Sequence, residues 1–300
     1  MKKKILVIGG TGFLGYHFCK ACKKKKIDIT SLSLSRPRKK RKLKIRYLHC
    51  DISKRKKLFK ILKDDYDYVI NFGGHVNHNE KIKTYNTHYK GTKYLADFFL
   101  KSKIKAFIQI GSCVEYGKSK SPQKEGLIKY DNQIKSVYGQ AKLNASKYLL
   151  KLYKKFNFPI KIFMLYLVYG PNQDENRLIP ITINSCLKNE IFKCSHGKQK
   201  RDFLYIDDLV NALLKSLDNK NIIGKSINLG YGKSYKVKYV INYIKKKIKF
   251  GNPIFGKIPL RKDEIKSLYP DIKLAKRFLN WKPKTSLKKG IEKTINEYRK

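Results

Sequence analysis

No stretch of the 300-residue chain approaches the length of a membrane span, so no transmembrane anchor is expected. Internal repeats and low-complexity linkers are missing, which sets aside repeat arrays. Cysteine offers little framework. Of the six, Cys19, Cys22, Cys50, Cys113, Cys186 and Cys194, only Cys19-x-x-Cys22 has a pairing pattern, and no second pair accompanies it. Buried helix thiols in a reducing cytoplasm are expected, not zinc or disulfides. Met1-Lys2-Lys3-Lys4 resembles the start of a secretion signal, but the apolar run Ile5 to Ile8 stops at Gly9, too short for that purpose. Acidic residues are scarce: Asp+Glu 22 against Lys+Arg 70, a formal net charge of +48. Such a surplus suits a nucleic-acid binder. Yet lysine far outnumbers arginine and is spread along the whole chain. Asn, Ile, Tyr and Phe are also plentiful, as AT-rich coding would produce. Compositional bias is therefore the expected reading, with only Arg36 to Arg46 dense enough to act on an anionic ligand.

What is present is a rhythm. Apolar segments read as strands at Ile5–Ile8, Ile29–Leu34, Ile45–Leu48, Tyr68–Phe72, Ala106–Ile110 and Ile160–Leu167. Amphipathic helices alternate with them, near 13–24, 54–62 and 81–101, and from Tyr138 to about Phe156. Such β-α alternation predicts a doubly wound parallel sheet, the Rossmann arrangement, over residues 1–169. Beyond Gly170-Pro171 the pattern loosens into a smaller substrate-binding region, 170–300, with a stretch near 200–230 returning to the first domain. Leu274, Phe278 and Leu279 sit at helical spacing beside Trp281.

The first strand runs into Gly9-Gly10-Thr11-Gly12-Phe13-Leu14-Gly15. Between a first strand and a first helix, glycines at this spacing permit a tight turn and let backbone approach a pyrophosphate. The helix N-terminus adds N–H groups and positive potential. Gly9, Thr11, Gly12, Phe13, Leu14 and Gly15 are thus expected cofactor contacts. An acid at the end of the second strand would hold a free ribose diol. Here Ser33, Leu34, Ser35 and Arg36 follow, with Arg38 close by. Hydroxyls and a guanidinium suit a 2′-phosphate, which favours NADP over NAD. Asp51, with Ile52, is expected near the adenine.

Tyr138-Gly139-Gln140-Ala141-Lys142 places a phenol and an ammonium on one helix face, where the cation would lower the phenol's pKa. With the loop, Ser112 and this pair in order, the chain resembles the extended short-chain dehydrogenase/reductase family, in its nucleotide-sugar epimerase, dehydratase and reductase branch. Asn71-Phe72-Gly73-Gly74 is similar to the family's fourth-strand motif, which puts Phe72, Gly73 and Gly74 along the cofactor. Ile110 to Gly117 resembles the stretch bearing the catalytic Ser or Thr. Tyr169-Gly170-Pro171, Arg201 to Asp208, and Asp271 to Ser286 match later signatures. The resemblance implies that Tyr138 moves the proton of a sugar hydroxyl or ketone. Lys142 would bind the nicotinamide ribose, and Ser112 would align the same sugar oxygen. Arg201, and Arg261 as a weaker candidate, would clamp a diphosphate, with Cys113 and Asn172 near the substrate. The implied partner is a nucleotide-diphospho-sugar, and a homodimer would form through the helices near 81–101 and 138–156.

Departures from the family pattern narrow the reaction. The family's dehydratases carry an Asp-Glu pair directly after the Ser/Thr; Cys113 and Val114 stand there. Glu115 comes one position late and, if on a strand, faces the other way. The Cys and His of members that epimerise beside the ketone are Val114 and Arg177, leaving Cys113 as a substitute base. What remains is 4-epimerisation or 4-keto reduction with Ser112, Tyr138, Lys142 and nicotinamide. His88 replaces a frequent Asn, and Leu167 stands where an Asn often touches substrate. The alternatives are a dehydratase, a nucleic-acid binder on the same fold, or a cofactor sensor without turnover.

Overall fold

The computed structural model describes residues 2–126, 134–260 and 264–299. Six strands, β1 (Lys4–Ile8), β2 (Asp28–Ser33), β3 (Arg46–His49), β4 (Tyr68–Asn71), β5 (Ala106–Ser112) and β6 (Ile160–Leu165), are hydrogen-bonded in parallel. β7 (Leu167–Tyr169), β8 (Ile191–Lys193) and β9 (Lys200–Tyr205) lie beyond them, and β10 (Ser226–Leu229) returns to the edge. The resulting seven-stranded sheet has the order β10-β6-β5-β4-β1-β2-β3. It is a Rossmann-like α/β fold. β11 (Ser234–Lys236), β9 and β13 (Ser267–Leu268) form a second small sheet that β7 joins, and β12 (Asn252–Ile254) pairs with β8.

A parallel sheet covered on both faces needs strands that are apolar on both sides. β1 meets that requirement. Ile5 and Val7 pack on one face with Phe18, Cys19 and Cys22, while Leu6 and Ile8 pack on the other with Leu95 and Leu149. Cys19 and Cys22 are free and buried, and burial pushes both thiols well up. The covering helices are α1 (Phe13–Lys24), α2 (Arg55–Ile61), α3 (Lys81–Tyr85), α4 (Thr92–Phe99) and α5 (Val137–Phe156). Further along come α6 (Leu178–Leu187), α7 (Ile206–Ser216), α8 (Val237–Ile248), α9 (Lys273–Leu279) and α10 (Leu287–Tyr298). Among the described residues no helix is long and apolar enough to cross a membrane.

Two elements differ from the sequence expectation. The helix expected over 81–101 is interrupted, because Asn86–Gly91 forms a π-helical turn between α3 and α4. Such a turn holds an extra residue and redirects the side chains within it. The strand expected over 160–167 stops at Leu165. Tyr166 turns inward, its hydroxyl donating to Gln123 Oε1 at 2.9 Å, and the chain restarts as β7 on the second sheet.

The C-terminal segment is held by one acid. Asp208 accepts the backbone N–H groups of Lys284 (3.1 Å) and Thr285 (2.8 Å), and its carbonyl accepts the Trp281 indole N–H at 3.1 Å. Asp208→Ala strands two donors near the core, so thermal or urea unfolding should show a loss on the order of 3 kcal/mol. A loss below about 0.5 kcal/mol would mean that water satisfies them.

Candidate active site

The C-terminal ends of β1, β2, β4 and β5 open into one cleft. β1 ends at Ile8 and α1 begins at Phe13, so the glycine segment must reverse the chain at once. Gly9 adopts φ +74°, a left-handed conformation suited to glycine. A Cβ on Gly15 would overlap the Gly9 carbonyl oxygen and lie 2.7 Å from Gly10 Cα, so the helix rests directly on the turn. Gly12 caps α1 without a side chain, and the helix's first N–H groups border the cleft. This cradle fits a pyrophosphate. Gly9, Thr11, Gly12, Phe13, Leu14 and Gly15 all line it.

The rest of the dinucleotide path is built from strand ends. Ser33 is buried at the end of β2, and its hydroxyl accepts the Thr11 N–H at 3.3 Å. Arg36 stands exposed on the cleft wall. Arg38 and Arg41 line the cleft too, but both pair with Asp174, and the buried Arg41 also donates to the Asn172 carbonyl. Of these three, Arg36 is the one without a carboxylate partner among the described residues, while its two neighbours brace the 172–174 turn. Asp51 lines the cleft and accepts the Ser53 N–H at 2.8 Å, with Ile52 buried beside it. Below β4, Asn71 accepts the Gly73 N–H at 2.9 Å and donates to Thr92 and Gln109. That network fixes Phe72, Gly73 and Gly74 along the floor.

α5 is capped by Ser136, which accepts the Gly139 N–H at 3.1 Å. The cap sets Tyr138 and Lys142 one turn apart on the face lining the cleft. Ser112, at the end of β5, lines the same cleft as Tyr138. Burial pushes the Tyr138 phenol up to about 12, and the Ser112 hydroxyl and the Arg177 charge act in the lowering direction. Lys142 donates to the Ile110 carbonyl at 2.6 Å. Burial pulls it down to about 8, opposed by Glu115. The expected lowering of the phenol by Lys142 is thus not the arrangement found: the ammonium is spent on β5.

Two histidines that sequence reasoning did not place here frame the phenol. His78 stacks on the Tyr138 ring at 3.9 Å, and His88 meets it edge-on at 4.9 Å. His88 lies in the π-turn, and its Nε2 donates to the His75 carbonyl at 3.2 Å. Burial, then the Lys142 charge, keeps it neutral.

The substrate side holds corrections. Glu115 is not on a strand. It lies on the 3-10 turn Cys113–Tyr116, fully buried, and is no part of the cleft wall. Cys113 lines the cleft, but burial pushes its thiol up to about 12, so it is no base at neutral pH. Asn172 is outside the cleft wall. Arg201 is on that wall, where it donates to the Lys200 and Ile265 carbonyls and pairs with Glu264. Arg261 lies outside the described residues.

The similarity of this chain to known proteins agrees with that geometry. The profile of the NAD dependent epimerase/dehydratase family matches residues 5–230. A Methanocaldococcus jannaschii protein named "Putative UDP-glucose 4-epimerase" is 30% identical over 308 residues, covering 97% of each chain. The UDP-glucuronic acid 4-epimerase of Bacillus cereus, solved with UDP-glucuronic acid and NAD, is 26% identical with a TM-score of 0.86 over 99% of both chains. The UDP-glucose 4-epimerase of Thermotoga maritima, solved with UDP-glucose, shares the fold at a TM-score of 0.91 and 23% identity, over 99% of this chain and 98% of that one. Because the profile spans most of the sequence and the similarity runs from end to end, the chain belongs to the NAD-dependent epimerase/dehydratase family of nucleotide-sugar enzymes.

Proposed function

We propose that this protein carries out redox chemistry at C4 of a nucleotide-diphospho-sugar, as 4-keto reduction or as 4-epimerisation, with Ser112, Tyr138 and Lys142. The observation that carries this reading is the convergence of Ser112, Tyr138 and Lys142 on the wall of the cleft that also holds the glycine cradle, with Tyr138 and Lys142 one helical turn apart. A bound nicotinamide supplies the hydride acceptor and donor. Tyr138, protonated at neutral pH, gives its proton to the C4 oxygen in reduction and takes one back in oxidation. Ser112 holds that oxygen in line with the phenol. Lys142 holds ribose hydroxyls, and Arg201 meets the diphosphate. Elimination of water and epimerisation beside a ketone both need a further acid–base pair. Cys113 and Val114 do not provide one, and Glu115 is turned away from the cleft.

The cofactor we assign is NADP, because Arg36, of the three guanidiniums at this end of the cleft, is the one without a carboxylate partner among the described residues, beside the place where a ribose-binding acid would stand. Similarity to 4-epimerases, one of them solved with NAD, supports the epimerase form; an NADP site supports net reduction. Residues 1–169 with β10 would bind the cofactor and 170–300 most of the substrate, in a cytoplasmic homodimer joined through α3, α4 and α5. Mass spectrometry of ligands retained on purification should find a dinucleotide and a sugar nucleotide. Arg36→Ala should weaken NADPH binding about tenfold while leaving NADH within about twofold. Equal losses for both would remove the case for NADP.

A further inference from the structure

The proposed chemistry leaves one buried acid unused. Glu115 has no exposed surface, and its Oε1 accepts the Ser112 N–H at 2.7 Å. A Cβ on Gly111 would come within 2.8 Å of the same oxygen, so the carboxylate lies against the end of β5. Lys142 reaches that strand end from α5, through its 2.6 Å bond to the Ile110 carbonyl. Three consecutive residues, Ile110, Gly111 and Ser112, therefore carry the contacts of both charged groups. Among the described residues, Oε2 of Glu115 has no hydrogen-bond partner. A buried carboxylate in that condition is costly, and an apolar side chain in its place would avoid that cost at the loss of one acceptor for the Ser112 N–H.

The groups facing Glu115 are few. α5 presents Lys142, Ser146 and Tyr138; its own turn presents Cys113 and Tyr116; β5 presents the Ser112 N–H. His88, on the π-turn, faces Lys142 and is neutral. Lys142 is the cation whose charge acts on Glu115.

We infer that Glu115 is the internal counter-ion of Lys142, a positioning residue that keeps the ammonium charged in a site shielded from water and holds Ser112 in place for Tyr138. This rests on the Ser112–Tyr138–Lys142 reading above. Burial pushes Glu115 up to about 7, while the Ser146 hydroxyl, the Lys142 charge and the Ser112 N–H oppose it. Burial pulls Lys142 down to about 8, and Glu115 opposes that. Below the first value the acid takes a proton; above the second the amine loses one. Without the carboxylate, burial acts on Lys142 unopposed, and its proton leaves at lower pH.

The test is the pH dependence of NADH and NADPH binding, read by nicotinamide fluorescence, which needs no knowledge of the sugar. Wild-type affinity should fall as Lys142 deprotonates near 8. Lys142→Met should lack that fall, which assigns it. Glu115→Gln keeps an oxygen for the Ser112 N–H, so it should melt near the wild type, yet its fall should begin at least about one pH unit lower. Glu115→Asp restores charge and should move the fall back. If Glu115→Gln does not fold, Glu115→Met of similar length makes the same comparison. A fall in the Gln or Met variant that coincides with wild type overturns the inference alone. A fall that survives in Lys142→Met, or no dinucleotide binding at all, overturns the underlying reading as well.

Discussion

Tyr138→Phe should lose turnover by about 10²- to 10⁴-fold while binding NADPH or NADH within about twofold of wild type. The change removes one oxygen. The ring stays between His78 and His88, so the wall of the cleft keeps its shape. Lys142 is anchored on the Ile110 carbonyl independently of the phenol, so the cofactor side is undisturbed. What disappears is the proton that Ser112 and Tyr138 share at the sugar oxygen. Ser112→Ala should cost less, because the phenol can still reach that oxygen, though with poorer alignment. Undiminished turnover in Tyr138→Phe would remove this residue from the chemistry. Loss of dinucleotide binding along with turnover would mean that the ring, not the hydroxyl, matters.

Gly15→Ala carries the second large effect. Its Cβ would overlap the Gly9 carbonyl oxygen and approach Gly10 Cα to 2.7 Å. All of those atoms are backbone in a turn that already contains a left-handed residue at Gly9, so no side chain can swing away. The turn must open or α1 must shift, at a cost on the order of 2 kcal/mol. Expressed in the cradle, that strain weakens dinucleotide binding about thirtyfold. Gly126→Ala is the matched control, since a Cβ there meets none of the described residues within 4 Å. Isothermal titration with NADH and NADPH should show loss at Gly15 and none at Gly126. Equal affinity in both variants would mean that the cofactor does not lie on this turn.

Local spacing made much of the molecule legible. The glycine turn, the alternation of apolar strands with helices, and the Tyr138–Lys142 spacing are each written within a few residues. They gave a parallel sheet and a cleft bordered by Ser112, Tyr138 and Lys142. Contacts between distant segments were not readable in this way. Arg38 and Arg41 spend their charge on Asp174, far along the chain, which leaves Arg36 as the one of the three without a carboxylate partner among the described residues. Arg201 is paired with Glu264 for the same kind of reason. Local conformation supplied the other surprises. A single extra residue in the π-turn brings His88 against Tyr138, and helix periodicity gives no sign of it. The 3-10 turn after Ser112 rotates Glu115 inward, where strand alternation had it on the opposite face. Tyr166 breaks a continuous apolar run because its hydroxyl finds Gln123, a partner that hydropathy does not register.

Redox at one carbon requires no acid–base pair beyond Tyr138 and the nicotinamide. Turnover of a panel of UDP-, dTDP- and CDP-hexoses and their 4-keto forms in D₂O, followed by mass spectrometry of enzyme-dependent label, tests it most directly. Hydride passing between C4 and a nicotinamide never exchanges with solvent. The products, epimer or alcohol at C4, should therefore carry no carbon-bound deuterium introduced by the enzyme. Enzyme-dependent deuterium at C3, C5 or C6, or loss of water from the sugar, would contradict it.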